Sequence, residues 1–192
     1  MEMQGSRTLA VTVQQAWEAL NDPAMLQTCI PGCEKFELTE PDTYAVTTAI
    51  KIGPVAARFS GRVRLSDIVP PQSYTLGFDA QGGVAGFGKG QAAVRLAPTD
   101  TGCELTYTVQ STVGGKLAQL GQRLIDGASR SLAEDFFRRF EEALAKRYPA
   151  APSDADTTPA VQAPSAAPLL PAWGWGLITV VVAAAVYLAT RG

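Results

Sequence analysis

Alternating apolar and polar residues in the middle of the chain predict a β-sheet with one buried face. The clearest case runs from Ala57 to Leu65, where every second residue is apolar or glycine and the others are arginine or serine. Successive side chains of a strand point to opposite faces, so this pattern is typical of a strand with one face against a core. Shorter stretches predict further strands at 34–38, 44–52, 74–80, 92–96 and 103–113. Short turns separate them, which favours antiparallel pairing.

The start of the chain predicts one strand and two short helices. Residues 3–13 alternate weakly and predict the strand, and residues 14–20 predict the first helix. Asn21-Asp22-Pro23 ends that helix and begins another, because proline suits the first helical position. The turn at Pro31-Gly32 then ends the second helix.

Between Lys116 and Tyr148 apolar residues recur every three or four positions, which predicts one long amphipathic helix. The stripe consists of Leu117, Leu120, Leu124, Ala128, Leu132, Phe136, Phe140 and Leu144. A helix of this length spans about 50 Å at 1.5 Å per residue, so its apolar face needs a broad sheet. The element order therefore predicts an α+β fold, a curved antiparallel β-sheet wrapped around a long C-terminal helix.

The chain beyond this helix predicts a linker and a membrane anchor. Residues 149–168 are rich in Pro, Ala, Ser and Thr, a composition typical of a flexible linker. From Trp173 to Ala189 there is no charged residue, and as a helix this run spans about 26 Å, close to a hydrocarbon core of about 30 Å. Aromatic residues lie near both of its ends, as in interfacial belts. The predicted parts are a domain at 1–148, a linker at 149–168 and a C-terminal transmembrane helix within 169–192.

Composition and charge narrow the function. The 192 residues are 46% apolar, enough for a core, and the net charge of −2 with no basic block argues against nucleic-acid binding. The N-terminal MEMQGSRTLAV does not resemble a secretory signal, so we expect the domain to face the cytoplasm.

The residue inventory argues against catalysis. The absence of histidine removes the His-dependent nucleophile pairs, the usual acid–base catalyst and His-ligated metals, and the carboxylates are dispersed. Three cysteines are fewer than the four thiolates of a structural zinc site or an iron–sulfur cluster. We therefore predict no catalytic and no metal residues. Cys29 and Cys33 are either reduced thiols or a redox disulfide.

Two polar motifs have alternative interpretations. The loop Gly82–Gly90 partly matches a phosphate-binding loop, but glycine stands where Ser or Thr should follow Lys89, and a predicted strand follows where the motif needs a helix. It is either a hairpin connection or a lid over a cavity with Phe87 at its tip. Arg58, Arg62 and Arg64 share one strand face, which is either solvated or docks an acidic partner or anionic lipid.

The inward apolar positions suggest either close packing or a cavity for a lipophilic ligand. Aromatic residues of the strands would face small residues of the long helix, and pockets that are mostly apolar suit lipophiles. From strand and helix phase, the predicted lining positions are Tyr44, Ile50, Phe59, Tyr74, Leu76, Phe78, Phe87, Tyr107, Leu117, Leu120, Leu124 and Ala128.

Four short segments resemble a known family. They are Ile30-Pro31-Gly32-Cys33, Ile52-Gly53-Pro54-Val55 leading into Phe59-Ser60-Gly61, Gly114-Gly115-Lys116-Leu117-Ala118 and Phe136-Phe137. In this order they resemble the CoxG family of carbon monoxide dehydrogenase accessory proteins, which belongs to the START-like (SRPBCC) helix-grip superfamily. The resemblance covers about residues 1–144.

The resemblance implies a bacterial accessory protein that tethers a molybdenum-containing hydroxylase to the inner membrane and holds a lipophile such as a quinone in the helix-grip cavity. Electrons could then leave a soluble enzyme for the respiratory chain. The family offers no shared catalytic residues to carry over, and no covalent cofactor is expected. The alternatives are a lipid carrier without an enzyme partner and a polyketide cyclase-like enzyme, which the lack of histidine disfavours.

Overall fold

The computed structural model describes residues 1–149. Its strands and helices are β1 Glu2–Leu9, α1 Val13–Leu20, α2 Pro23–Cys29, β2 Cys33–Glu40, β3 Thr43–Ile52, β4 Val55–Val69, β5 Ser73–Gln81, β6 Phe87–Thr99, β7 Gly102–Gly114 and α3 Gln122–Arg147. The predicted order of one strand, two short helices, six strands and a long helix is confirmed. The predicted linker and transmembrane helix lie outside the described residues. Among residues 1–149, no helix is both long and apolar enough to span a membrane.

The strands form one antiparallel sheet with the order β1-β7-β6-β5-β4-β3-β2. The first strand pairs with the last, with Leu9 opposite Cys103. The side of the sheet toward α3 is called the inner face and the opposite side the outer face. In β4 the alternation predicted from sequence is present, because Phe59 is buried on the inner face while Arg58, Arg62 and Arg64 are exposed on the outer face.

Glycines on the inner face let neighbouring strands approach closely. A Cβ atom at Gly61 in β4 would overlap the Asp79 carbonyl oxygen of β5, and one at Gly90 in β6 would overlap the Gln110 carbonyl oxygen of β7. Strand glycines are typical of sites where another backbone comes close or the sheet bends. These positions are therefore reserved for glycine by the close approach of the neighbouring strands.

The two short helices have well-formed N-termini. Thr12 caps α1 and forms a capping box with Gln15, which explains why the strand predicted over 3–13 ends at Leu9. Asp22 caps α2 by accepting hydrogen bonds from the backbone N–H groups of Ala24 and Met25. The strand prediction was too long because the capping residues fall within its alternation.

The main core joins α1, α3 and one end of the sheet, all within residues 1–149. Its most deeply buried side chains are Leu9, Cys29, Cys103, Leu105 and Phe140. These residues give the domain within 1–149 a hydrophobic core of its own. We therefore expect it to fold as an independent unit.

The long helix begins later than predicted. Instead of starting at Lys116, α3 starts at Gln122, and residues 118–120 form a short 3₁₀ turn. Gly115 and Gly121 have φ angles of +77° and +87°, a conformation that an α-helix cannot contain and that glycine tolerates best. Leu117 and Leu120 therefore lie on a connection before the helix.

Candidate functional site

An apolar cavity of about 350 Å³ lies between the inner face of the sheet and the helices. All of its lining side chains are aromatic or aliphatic, and their only polar atoms are three tyrosine hydroxyls. The lining residues are Leu20, Leu26, Ile30, Phe36, Tyr44, Val63, Leu65, Tyr74, Leu76, Phe78, Ala92, Val94, Leu105, Tyr107, Val109, Phe136 and Phe137. A cavity with this volume and composition fits a small lipophilic molecule or part of a larger one.

Strand register brings the lining residues of the sheet together. Leu65 of β4 lies opposite Leu76 of β5, which lies opposite Ala92 of β6, and Ala92 lies opposite Val109 of β7. Directly opposed residues have Cβ atoms about 5 Å apart, so this row forms a continuous apolar floor. The sheet therefore supplies most of the cavity wall through side chains of one phase.

Aromatic pairs fix the tyrosines of the wall. The ring of Phe36 lies 5.1 Å from that of Tyr44, and Trp17 of α1 meets Tyr74 edge-on at 5.6 Å. Both separations are typical of favourable aromatic pairs. The two rings are thus held by neighbours on α1 and β2.

Tyr107 is held differently, toward the β1 edge. Its ring stacks on Phe137 of α3 at 5.4 Å, and its hydroxyl end lies over Gly5, where a Cβ atom would overlap the ring. The Arg7 guanidinium lies over the same Phe137 ring, 5.5 Å from its centre, which is within the range of a cation–π interaction. Gly5 thus leaves the room that Tyr107 occupies.

The structure places five of the twelve predicted positions in the cavity wall, namely Tyr44, Tyr74, Leu76, Phe78 and Tyr107. Ile50, Phe59, Leu117 and Leu120 belong to a second apolar cluster centred on Phe59, Ala85 and Leu117, away from the cavity lining. The spacing of inward residues along β3 and β4 could not show that this end of the sheet is filled by protein. Ligand binding at any of the twelve positions stays a prediction.

The other three predicted positions also lie outside the cavity wall. Leu124 and Ala128 are on the first turns of α3, where the Leu124 side chain is 42% exposed beside the turn at Gly53. Phe87 lies on the outer face, since it is paired with Gln81 and Gly114, and its ring covers Gly114. The predicted strand began only at residue 92, whereas β6 begins at Phe87. The outward direction of the Phe87 side chain was therefore not predicted.

The contribution of the short helices and of β2 to the cavity was not predicted. Four of the lining residues come from these elements and the turn between them, namely Leu20, Leu26, Ile30 and Phe36. The apolar spacing of the short helices could have indicated that they cover the sheet, but it does not say which strands they cover. Phe136, which belongs to the predicted helix stripe, and the adjacent Phe137 are the two residues of α3 that line the cavity.

The glycine-rich loop is a docked hairpin connection between β5 and β6. Ala85 is buried in the second cluster, and its carbonyl oxygen accepts a 3.0 Å hydrogen bond from the backbone N–H of Leu117. A strand follows the loop, so the helix N-terminus required by a phosphate-binding loop is absent from this segment, as the sequence indicated. The loop packs over the second cluster, so its structure does not resemble a lid over the cavity.

The three cysteines are free thiols. Cys29 and Cys103 are buried and Cys33 is half-buried, and burial raises the pKa of each thiol above its ordinary value. A raised pKa reduces the thiolate fraction and with it the reactivity. Within residues 1–149, no group of three potential metal-ligating side chains is found.

The arginines of β4 differ in their surroundings. Arg58 forms an ion pair with Glu34, with 2.9 Å between Nε and Oε2, which agrees with a solvated, charge-paired face. Arg62 and Arg64 instead line an open depression of about 870 Å³ on the outer face, together with Lys89, Asp79 and the polar ends of β6 and β7. Within the described residues neither of these two arginines forms an ion pair.

The fold agrees with comparisons to known proteins. The model of the CoxG family, described as a family of carbon monoxide dehydrogenase subunits, matches residues 5–145. The chain belongs to the CoxG family. Membership suggests an accessory role for carbon monoxide dehydrogenase, since CoxG is an accessory component of that system and not a catalytic one. A comparison with curated proteins gives no match.

Solved structures show the same helix-grip-like fold. A conserved protein from Geobacillus kaustophilus is 36% identical with a TM-score of 0.72, and the match covers 76% of this chain and 96% of that one. An uncharacterised protein from Rhizobium leguminosarum (15% identity, TM-score 0.61, 76% of this chain and 95% of that one covered) shares the fold alone. The same holds for a protein from Thermus thermophilus (13% identity, TM-score 0.60, 77% and 99% covered). The matched domain therefore accounts for almost the whole length of each of these three chains.

Proposed function

We propose that the protein is a membrane-anchored accessory factor that recruits a molybdenum-containing CO dehydrogenase-type hydroxylase to the cytoplasmic membrane. It holds a lipophile of the quinone class in the cavity and so supports electron transfer to the respiratory chain. The observation that carries ligand binding is the apolar cavity, whose wall offers three hydroxyls and no charged group. Such a site favours an uncharged, largely apolar molecule.

The choice of a quinone rests on chemistry and on the family. A quinone combines an apolar ring with carbonyl oxygens, and its two-electron reduction would connect a cytoplasmic oxidoreductase to the membrane. Other lipophiles of similar size would also fit the cavity. The name of the family supports a CO dehydrogenase partner, and the predicted helix from Trp173 to Ala189 supports attachment to the inner membrane with the domain in the cytoplasm.

The outer-face depression is the surface that we assign to the partner enzyme. Arg62, Arg64 and Lys89 give it three cations, whereas Asp79 and Glu2 are its acids. Cations without an ion pair are available to carboxylates of a partner, and complementary charge guides association. The cavity lies on the inner face of the sheet. Docking of the partner enzyme on the outer face therefore leaves the ligand site free.

Ligand binding is tested by extracting the purified full chain with organic solvent and measuring quinones by mass spectrometry. We expect close to one quinone per chain, and a strong decrease in the variant Leu76→Trp, which fills the cavity. The matched control is Leu38→Trp, because Leu38 is an exposed leucine on β2. An extract without any lipophile, even after quinones are supplied, would rule out the ligand function.

Recruitment is tested by capture of the hydroxylase from membranes of the source cells with the tagged full chain. We expect the double variant Arg62→Glu/Arg64→Glu to lose capture and Arg58→Glu to keep most of it, since Arg58 is already paired with Glu34. A bound quinone without any captured hydroxylase would indicate a lipid carrier that acts alone. Equal capture by all three proteins would reject the outer face as the docking surface.

A further inference from the structure

The Tyr74 hydroxyl lies inside the apolar cavity without a protein partner. Tyr74 is 6% exposed and shares the inner face of β5 with Leu76 and Phe78, so its side chain points into the cavity. None of the hydrogen bonds within residues 1–149 involves this hydroxyl, and its oxygen is not fully enclosed by protein atoms. Buried polar groups in folded proteins are nearly always paired, so this donor is available to whatever fills the cavity.

A second hydroxyl belongs to a residue of the same cavity wall, Tyr44 of β3. Tyr44 of β3 is near enough to Tyr74 to contribute to the raised pKa of Tyr74, although burial is the larger cause. Burial also raises the pKa of Tyr44. Both phenols therefore stay protonated at neutral pH and can donate a hydrogen bond.

The third tyrosine of the wall is placed differently. The Tyr107 hydroxyl lies over Gly5 at the β1 edge, and its ring is stacked on Phe137. Neither Tyr44 nor Tyr74 is held in this way, since their aromatic partners are Phe36 and Trp17. Tyr44 and Tyr74 are thus the two tyrosines of the cavity wall whose rings do not stack on α3.

We propose that the Tyr74 and Tyr44 hydroxyls form the polar end of the cavity and donate hydrogen bonds to an acceptor oxygen of the ligand. This inference rests on the proposed lipophile-binding function and narrows its ligand class to lipophiles with a carbonyl or ether oxygen. A pure hydrocarbon that displaced water from the cavity would leave both hydroxyls without a partner, whereas a carbonyl oxygen would replace the water. The pair therefore selects for an oxygen atom and also orients it.

The test compares menadione with 2-methylnaphthalene, which has the same methylated two-ring carbon skeleton but no carbonyl oxygens. The isolated domain, residues 1–149, has Trp17 as its only tryptophan, and Trp17 contacts Tyr74, so quenching or shift of its fluorescence reports binding. We expect wild type to bind menadione more tightly than the hydrocarbon. Tyr74→Phe should weaken menadione binding about tenfold and leave the hydrocarbon unchanged.

Two further variants make the result specific. Tyr44→Phe should weaken menadione binding in the same direction, and it carries the test if Tyr74→Phe does not fold. Tyr148→Phe is the control, since the Tyr148 hydroxyl lies at the end of α3 near Glu18 and outside the cavity. It should bind both probes as wild type does.

The outcomes separate this inference from the proposed function. If wild type binds both probes equally, or if Tyr74→Phe and Tyr44→Phe leave menadione binding unchanged, the polar end is rejected while lipophile binding stands. If the variants weaken both probes equally, the tyrosines act through shape and the inference is also rejected. If neither probe binds wild type, lipophile binding itself fails.

Discussion

The Arg147 side chain at the end of α3 donates a hydrogen bond to the Asp22 carboxylate at the start of α2, with 2.6 Å between Nη1 and Oδ2. The other carboxylate oxygen caps α2 through the N–H groups of Ala24 and Met25. The bond to Arg147 is the main reason that the pKa of Asp22 lies below its ordinary value of 3.8, and the capping bonds act in the same direction. One side chain thus joins the long helix to a helix that lines the cavity.

This relationship predicts a pH-dependent stability. A lowered pKa means that the ionised form of Asp22 stabilises the fold above about pH 4, and that this contribution is lost as pH falls through the folded pKa. At pH 7, Asp22→Ala should lower the free energy of unfolding by about 1–2 kcal/mol, from the lost cap and a partly exposed ion pair. Asp22→Asn keeps a capping oxygen and should cost less. Urea unfolding followed by circular dichroism measures both.

The control for this prediction is Asp100→Asn, because Asp100 lies exposed in the turn between β6 and β7. Its urea midpoint at pH 7 should match that of wild type. The Asp22→Asn deficit should shrink as pH falls below the ordinary carboxyl value of 3.8. A deficit of unchanged size at about pH 2 would show that the charge of Asp22 is not its cause.

The two ends of α3 should respond differently to truncation of an apolar side chain. Phe140 is fully buried in the main core, whereas Leu124 is 42% exposed, although both belong to the apolar stripe of the sequence. Phe140→Ala should cost about 3–5 kcal/mol through a cavity in the core, and Leu124→Ala less than about 1 kcal/mol. The same urea titration compares the two variants. Similar losses for both would mean that the first turns of α3 pack against the sheet as tightly as its end.

Two strand glycines, Gly61 and Gly88, provide a matched test of whether close contact between strands requires glycine. A Cβ atom at Gly61 would overlap the backbone of β5, whereas one at Gly88 would meet nothing within 4 Å. Gly61→Ala should therefore destabilise the protein by about 1–3 kcal/mol, as overpacking does, while Gly88→Ala should be close to neutral. Thermal unfolding of the two variants distinguishes them. If Gly61→Ala unfolds at the temperature of wild type, the close strand contact does not need glycine.

The sequence predicted the sheet well because its information is local. The alternation in β4 identifies the inner residue Phe59 and the outer residues Arg58 and Arg62 without any knowledge of neighbouring strands. The predicted start of α3 was wrong, and this error also has a physical reason. Leu117 and Leu120 continue the helical spacing, but the positive φ of Gly121 breaks the helix between them and Gln122.

The cavity depends on long-range packing, which local spacing does not contain. Ile50 and Leu76 are both inward residues of neighbouring parts of the sheet, yet Leu76 lines the cavity and Ile50 packs in the second cluster. The difference arises from the loop that buries Ala85 and from the turn that buries Leu117, both distant in sequence from β3. Periodicity therefore indicates which face is apolar, but not which part of that face remains unfilled.

The cysteines provide a test of the alternative between reduced thiols and a redox disulfide. Cys29 and Cys103 are fully buried, whereas Cys33 is half-buried. Burial raises the pKa of all three thiols. At pH 8 the native protein should therefore react slowly with Ellman's reagent at one thiol, and at three thiols after unfolding in urea. Cys33→Ser should remove the native reaction and leave two thiols in the unfolded chain. Mild oxidation that removed two thiols from wild type, and none from Cys33→Ser, would instead establish a disulfide between Cys29 and Cys33.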